Sequence, residues 1–372
     1  MTPSLFVRMI LMLLAYNALV LYIGWNGFVW LKAAFSPPPL FAYWLFVFFC
    51  AYAYVLARFI KLTVLKVIGA YWFVVLQYSL LLLPVTNIVI FTFSYTSYDL
   101  DQLIKWTGLF VISTFLVILV YGTFNAYSPV VRTYQISVPK RAIKYNKLRI
   151  AVASDMHFGN LSGTSHLRRL NDKINMIKPD LVLLPGDIID DDPRPFISKN
   201  MSKLMKEMHA PLGIYGVLGN HEYYGRAIPL FIDEMSKNDM TILLDEVVLI
   251  DDSFYLVGRK DKTDQNRSSI EDLVKNIDHS LPIILMDHQP FELEQAMINN
   301  IDISLSGHTH RGQMAPNHLI TRKIYELDWG YIKKQQLHAF VSSGFGFWGP
   351  PIRIGSRSEI IQIDITFNTR ED

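Results

Sequence analysis

Four long runs of apolar residues, at about 5–31, 40–57, 67–93 and 104–125, fill the front third of the chain and show no polar face. Each approaches or exceeds the roughly 20 residues that cross a bilayer core as a helix. The second, Leu40 to Ala57, has no charged side chain, and the third contains Pro84, where a kink or break is expected. A cleaved signal peptide would be shorter, would end in a small-residue cleavage site and would not be followed by three more runs. Four runs in series also argue against buried core helices. From Leu148 the pattern changes to short apolar runs alternating with amphipathic, helix-like stretches, which predicts an α/β domain. The expected organisation is a four-span transmembrane domain over 1–125, a linker over 126–147 with Pro129 and Pro139, and an α/β domain over 148–372.

Composition sharpens this division. The averages, 51% apolar and 18% charged over 372 residues, hide a front of 127 residues with only eight charges: Arg8, Lys32, Arg58, Lys61, Lys66, Asp99, Asp101 and Lys105. The remainder is close to neutral and lacks the basic excess that matches a phosphate backbone, so no nucleic-acid partner is expected. One cysteine, Cys50, excludes a disulfide framework. Arg58, Lys61 and Lys66 load the 58–66 loop, and Arg132, Lys140, Arg141, Lys144, Lys147 and Arg149 follow the last run, whereas 94–105 is acidic on balance. By the bias of lysine and arginine toward the cytoplasmic side, an inner or plasma membrane protein with its α/β domain in the cytoplasm is expected. Trp25, Trp30, Tyr43, Trp44, Trp72 and Trp106 serve either as interfacial belts or as packing within the bundle.

The chemistry lies at the ends of the apolar runs in the second part. Leu148–Ser154 ends in Asp155-Met-His157, Leu181–Pro185 in Gly186-Asp187, and Gly213–Leu218 in Gly219-Asn220-His221-Glu222. Pro282–Met286 ends in Asp287-His288, and Ile301–Ser306 in Gly307-His308-Thr309-His310. Ligands gather beyond the carboxyl ends of strands in α/β sheets. Oxygen and imidazole donors without thiolate suit divalent Mn, Fe, Zn or similar ions, and an Asp using both oxygens can bridge two of them, the arrangement for in-line phosphoryl displacement. His166, His209, His279, His318 and His338 fall outside these motifs and are expected to be surface or core histidines.

With these residues in hand, the region 148–368 resembles the calcineurin-like metallophosphoesterase superfamily, whose pattern is Asp-x-His, Gly-Asp-x-x-Asp, Gly-Asn-His-Glu, a lone His and Gly-His-x-His. Gly-Asn-His-Glu-Tyr-Tyr and the late Gly-Pro-Pro-x-Arg look closest to the bacterial branch of YkuE- and YaeI-like phosphodiesterases, which includes a UDP-2,3-diacylglucosamine pyrophosphatase of lipid A synthesis. The resemblance implies a two-sheet αββα sandwich and two metals. Asp155, His157, Asp187 and His310 would hold the first and Asp187, Asn220, His288 and His308 the second, with His221 as the catalytic imidazole. Asp190 is expected as a partner of a ligand histidine, and Asp191 and Asp192 as a solvated acidic turn. Arg311, which replaces a usual glycine, is either a substrate-phosphate contact or solvent-facing. Arg353 is expected to contact substrate phosphate at the pocket rim beside Phe345, Phe347 and Trp348.

The expected reaction is hydrolysis of a phosphate ester or pyrophosphate by a metal-bridging hydroxide, with His221 assisting the leaving group. Four spans exceed what tethering needs, so the substrate is expected to be a membrane lipid phosphate, which places the chain in lipid metabolism. The alternatives are hydrolysis of a soluble phosphodiester by a merely anchored enzyme, a non-catalytic membrane sensor, and a regulated transporter, for which the spans carry too few charges.

Overall fold

The computed structural model describes residues 3–60 and 62–367; Lys61 of the basic loop and the last five residues lie outside them. The chain divides into two compact units, Met1–Tyr121 and Gly122–Asp372.

The first unit is helical: α1 (Pro3–Ala34), α2 (Leu40–Ile60), α3 (Thr63–Phe93) and α4 (Leu100–Tyr127), whose last residues, from Gly122, belong to the second unit. All four are long and apolar enough to cross a membrane. The shortest, with 21 residues, spans about 31 Å at 1.5 Å per residue, enough for a hydrocarbon core of about 30 Å. Pro37, Pro38 and Pro39 separate α1 from α2 and deny the backbone the donors a continuous helix needs. Pro84, by contrast, sits inside α3 without ending it. Its missing N–H removes one bond of the ladder, which the rest of a 31-residue helix tolerates. Small residues allow close packing: a side chain at Gly69 would collide with the backbone of Tyr54 on α2, as at tight crossings in lipid. Around Val20, Val47, Ala51 and Trp72 a small core forms, and Tyr16 donates to the carbonyl of Ala51 at 2.6 Å. Of the aromatics, Trp72 is buried, whereas Trp25 and Trp106 are exposed.

In the second unit, two six-stranded sheets stack with helices outside them. The first has the order β1-β12-β2-β3-β4-β5 and the second β10-β11-β9-β8-β7-β6. In chain order the strands are β1 (Val130–Val138), β2 (Lys147–Val152), β3 (Leu181–Pro185), β4 (Ile214–Val217), β5 (Met240–Ile242), β6 (Glu246–Ile250), β7 (Phe254–Gly258), β8 (Ile283–Met286), β9 (Ile303–Ser306), β10 (Gly330–Lys334), β11 (Leu337–Val341) and β12 (Glu359–Phe367). Side chains of both sheets, among them Ile150, Leu183, Phe254, Ile284 and Ile363, fill the space between them. Helix α5 (Thr164–Ile177) covers the first sheet's outer face through Leu167, Leu170 and Ile174. The segment expected to act as a linker is structured: β1 pairs in parallel with β12 from Val130–Glu359 to Val138–Phe367 and forms an edge of the first sheet. Its partner lies more than 200 residues away, so no local pattern announces the pairing.

Candidate dinuclear metal centre

The central strands β2, β3, β8 and β9 run in parallel within their sheets, so their carboxyl ends open onto the same edge and deliver the polar residues there. Placing the donors requires unusual backbone. Asp155, His157, Asp187, His308 and His310 all have φ between 46° and 70°, a region that costs a non-glycine residue on the order of 1 kcal/mol or more. Strain concentrated on five of the seven expected donors marks the place where the fold gives up stability for geometry. Two glycines make room: a Cβ at Gly219 would strike the Asp187 carboxylate, and one at Gly307 that of Asp155.

Asp187 lies at the centre. Its Oδ2 is 3.2 Å from His288 Nε2 and 3.8 Å from His157 Nε2, and its Oδ1 accepts the backbone N–H of His221 at 2.9 Å. On one side Asp155, His157 and His310 present donor atoms within 4.8 Å of one another; on the other Asp187, His288 and His308 do so. Asn220 joins the second group, its Oδ1 2.8 Å from His308 Nδ1. Asp155 is fixed by Ser154 Oγ at 2.5 Å and by the N–H of His308 at 2.8 Å.

These residues fit a pair of cations. The Nε2 atoms of His157 and His310 face each other at 3.0 Å, close to the spacing of adjacent donors on one ion, about 3 Å for bonds of about 2.1 Å at a right angle. Burial pushes His157 and His308 down to about 4 and His310 well below its ordinary value. Three imidazoles are therefore neutral, with lone pairs to give. Burial, reinforced by the Asp187 charge, raises Asp155 to about 6. For Asp187 the effect of burial is outweighed by His288 and His157, which hold it well below the carboxylate range, and His288 is in turn held protonated. Three neutral imidazoles beside the ionised Asp187 offer lone pairs and negative charge, and a divalent ion binding here would take the place of the His288 proton, since ligand imidazoles must be neutral.

His221 differs from the other histidines. Its Nδ1 lies 2.7 Å from Asp191 Oδ1; burial opposes its charging, yet the Asp191 bond and the Asp187 charge prevail and raise it to about 9. It is an acid at neutral pH. The helix that carries it, Asn220–Gly225, starts under the buried Glu222 carboxylate, which accepts the N–H groups of Gly219 and Ile189.

The family model of calcineurin-like phosphoesterases matches residues 148–312. An uncharacterized metallophosphoesterase of Aquifex aeolicus is 31% identical over 65% of this chain and 95% of its own length. One from Campylobacter jejuni is 30% identical over 71% of this chain and 70% of its own. The chain belongs to the metallophosphoesterases. A transmembrane protein with a metallophosphoesterase domain from Danio rerio is 30% identical over 66% of this chain and 60% of that protein. With four helices long and apolar enough to cross a membrane, the present phosphoesterase is a membrane protein.

Within this phosphoesterase the seven expected donors and His221 come together, but the residues around them differ from expectation. Asp191, expected in a solvated turn, is exposed as expected but also holds His221, its Oδ1 lying 2.7 Å from the imidazole Nδ1. Arg353 is not at a rim. Its side chain is fully buried, donating from Nε and Nη2 to the Gly346 carbonyl and from Nη1 to Ser356, with Nη2 also 3.2 Å from His310 Nδ1. It braces the loop behind the metal donors. Phe345 and Phe347 are likewise buried, stacked about His166, and only Trp348 is exposed. Arg311 is half-buried with its guanidinium 4.0 Å over the Trp329 ring. Of the histidines outside the motifs, His166 and His338 are core residues.

Proposed function

We propose that this metallophosphoesterase hydrolyses a phosphate ester or pyrophosphate carried by a membrane lipid, from the cytoplasmic side of a four-span membrane domain. The observation that carries the catalytic part is the Asp187 carboxylate, whose one oxygen faces histidines of both donor groups. Asp155, His157, Asp187 and His310 would hold one divalent ion, and Asp187, Asn220, His288 and His308 the other. When bound, the two ions supply Lewis-acid polarisation of the phosphoryl oxygens and of the attacking water.

The protein's own groups do the rest. His221, with Nδ1 committed to Asp191, has Nε2 free to donate a proton to the departing oxygen, and a pKa near 9 keeps that proton in place at neutral pH. Asp155, Asp187 and Asn220 orient the donors through the hydrogen bonds already described. Arg311, next to the donor His310 in the chain and held on the Trp329 ring, would meet a substrate phosphate.

Support for a lipid substrate comes from the membrane unit, whose four helices exceed the needs of an anchor. The test uses the full chain in vesicles with Mn²⁺, offering a phospholipid phosphate and bis(4-nitrophenyl) phosphate in turn. Turnover of both, abolished by chelation and restored by Mn²⁺, is the expected result. Hydrolysis of the soluble diester with every lipid phosphate ignored overturns the lipid assignment. For the topology, a cytoplasm-active reporter fused after Asp372 should work and a periplasm-active one stay silent.

A further inference from the structure

Two large aromatic side chains stand in solvent beside the acid of the reaction. Tyr224 and Trp348 are 60% and 59% exposed, although apolar surface of this size ordinarily gains from burial. Each ring meets the His221 imidazole edge-on, with centroids at 5.6 Å and 64° for Tyr224 and at 6.4 Å and 63° for Trp348. Among the described residues no ring contact joins the two aromatics to each other, and each approaches the imidazole separately.

Neither ring is on a loose segment. Tyr224 belongs to the short helix that begins at the donor Asn220. Trp348 is clamped by Gln313, whose Oε1 accepts the Trp348 N–H at 2.8 Å and whose Nε2 donates to the Trp348 carbonyl at 2.9 Å. The surrounding charge is negative: carboxylate oxygens of Asp190 and Asp191 lie within 4.8 Å of a His221 ring nitrogen and of each other. A leaving group that emerged here as phosphate would meet carboxylates and aromatic faces. A neutral alcohol with an apolar body would meet a proton donor and two rings that cover it.

We propose that Tyr224 and Trp348 form a leaving-group subsite that selects an apolar alcohol, so that the substrate is an ester rather than an anhydride at this position. This rests on the reading of His221 as the acid. In the step, a water oxygen bonds to phosphorus while the bond from phosphorus to the ester oxygen breaks. The electron pair stays on that oxygen, which takes the His221 Nε2 proton and departs as the alcohol. The proton given up by the water re-protonates His221 through solvent, so the atoms and charges balance. An alkyl chain, as in a lipid, and an aromatic ring, as in a soluble aryl ester, satisfy the same chemistry.

The experiment is an internal competition. The full-length, Mn²⁺-loaded protein in detergent is given methyl hexyl phosphate or methyl benzyl phosphate, and the two alcohols released from each are counted. Methanol, hexanol and benzyl alcohol have similar intrinsic leaving ability, so the ratio reports the subsite and is independent of the active fraction. The wild type should expel the apolar alcohol about tenfold over methanol, and Tyr224→Ala and Trp348→Ala should each bring the ratio toward one. Preference for hexanol alone points to a chain, and preference for benzyl alcohol alone to a ring; either supports the subsite. A wild-type ratio at or below one, or a ratio that neither variant moves, overturns it. Hydrolysis of dimethyl diphosphate with no cleavage of either diester overturns the subsite and leaves the phosphoesterase reading standing. Absence of turnover on every substrate, bis(4-nitrophenyl) phosphate included, overturns both.

Discussion

The two units of this chain solve the problem of placing polar atoms in opposite ways. In the membrane unit polar side chains bond within a turn, as Asn17, Asn26, Thr92, Thr107 and Thr114 do to carbonyls four residues back, or to a neighbouring apolar helix, as Tyr16, Tyr52 and Asn87 do. Large apolar side chains such as Leu14, Phe41, Val85 and Val117 face outward, as a lipid solvent requires. In the catalytic unit polar atoms from distant segments meet in the interior, and the backbone is strained to bring them there. The first arrangement is robust to the exchange of one apolar residue for another. The second depends on individual atoms, and so the reaction is sensitive where the membrane unit is tolerant.

The largest effect should follow from Asp187→Asn. With its charge gone, the oxygen shared by both donor groups loses most of its affinity for cations, and turnover of bis(4-nitrophenyl) phosphate should fall by more than about 10³-fold together with metal content by elemental analysis. Wild-type turnover with two bound ions would show that the site is held elsewhere. His221→Ala should cost about 10²- to 10⁴-fold in kcat with metal content unchanged; loss of metal instead would make His221 a ligand. Asp191→Asn should be milder, about 10-fold, with a telling pH profile. Because the carboxylate raises His221, its loss lowers the pKa of the acid, and the alkaline limb of kcat, where activity is lost as His221 deprotonates, should move to lower pH. An unmoved limb would detach Asp191 from the acid. The smallest effect on chemistry should come from the membrane unit. Gly69→Leu, which drives a side chain into Tyr54, should lower the thermal midpoint of the full chain through an overpacking cost of about 1–3 kcal/mol, while kcat on the soluble diester changes less than about twofold. A collapse of kcat without unfolding would mean that the membrane unit takes part in the reaction.

The sequence made the donors legible because each stands directly after an apolar run, and strand ends are where an α/β fold exposes side chains. It could not make the contact of Asp191 legible: nothing local distinguishes three consecutive aspartates, and the one that holds His221 is itself exposed. Arg353 misled for the opposite reason. An arginine in a glycine-rich segment suggests phosphate recognition, yet this one satisfies its donors on the Gly346 carbonyl and Ser356 and is as buried as any leucine. The α/β class and the four helices were plain from periodicity and length. β1 was not, since its partner is the far strand β12 and the prolines around it suggested a connector.

That last pairing also governs when the enzyme can exist. β12 lies between β1 and β2, hydrogen-bonded to both, and its first residue, the buried Glu359, receives Arg132, Trp329 and the N–H of Ser343. A newly made chain therefore carries β1 and β2 with a vacant lane between them until Glu359–Phe367 has been synthesised. At about 5–20 residues per second, that wait is roughly 10–40 s. The apolar helices have already emerged from the ribosome by then, so insertion into the bilayer has a head start over the assembly of a working hydrolase, and a protein still in transit has no completed sheet from which to present its metal donors.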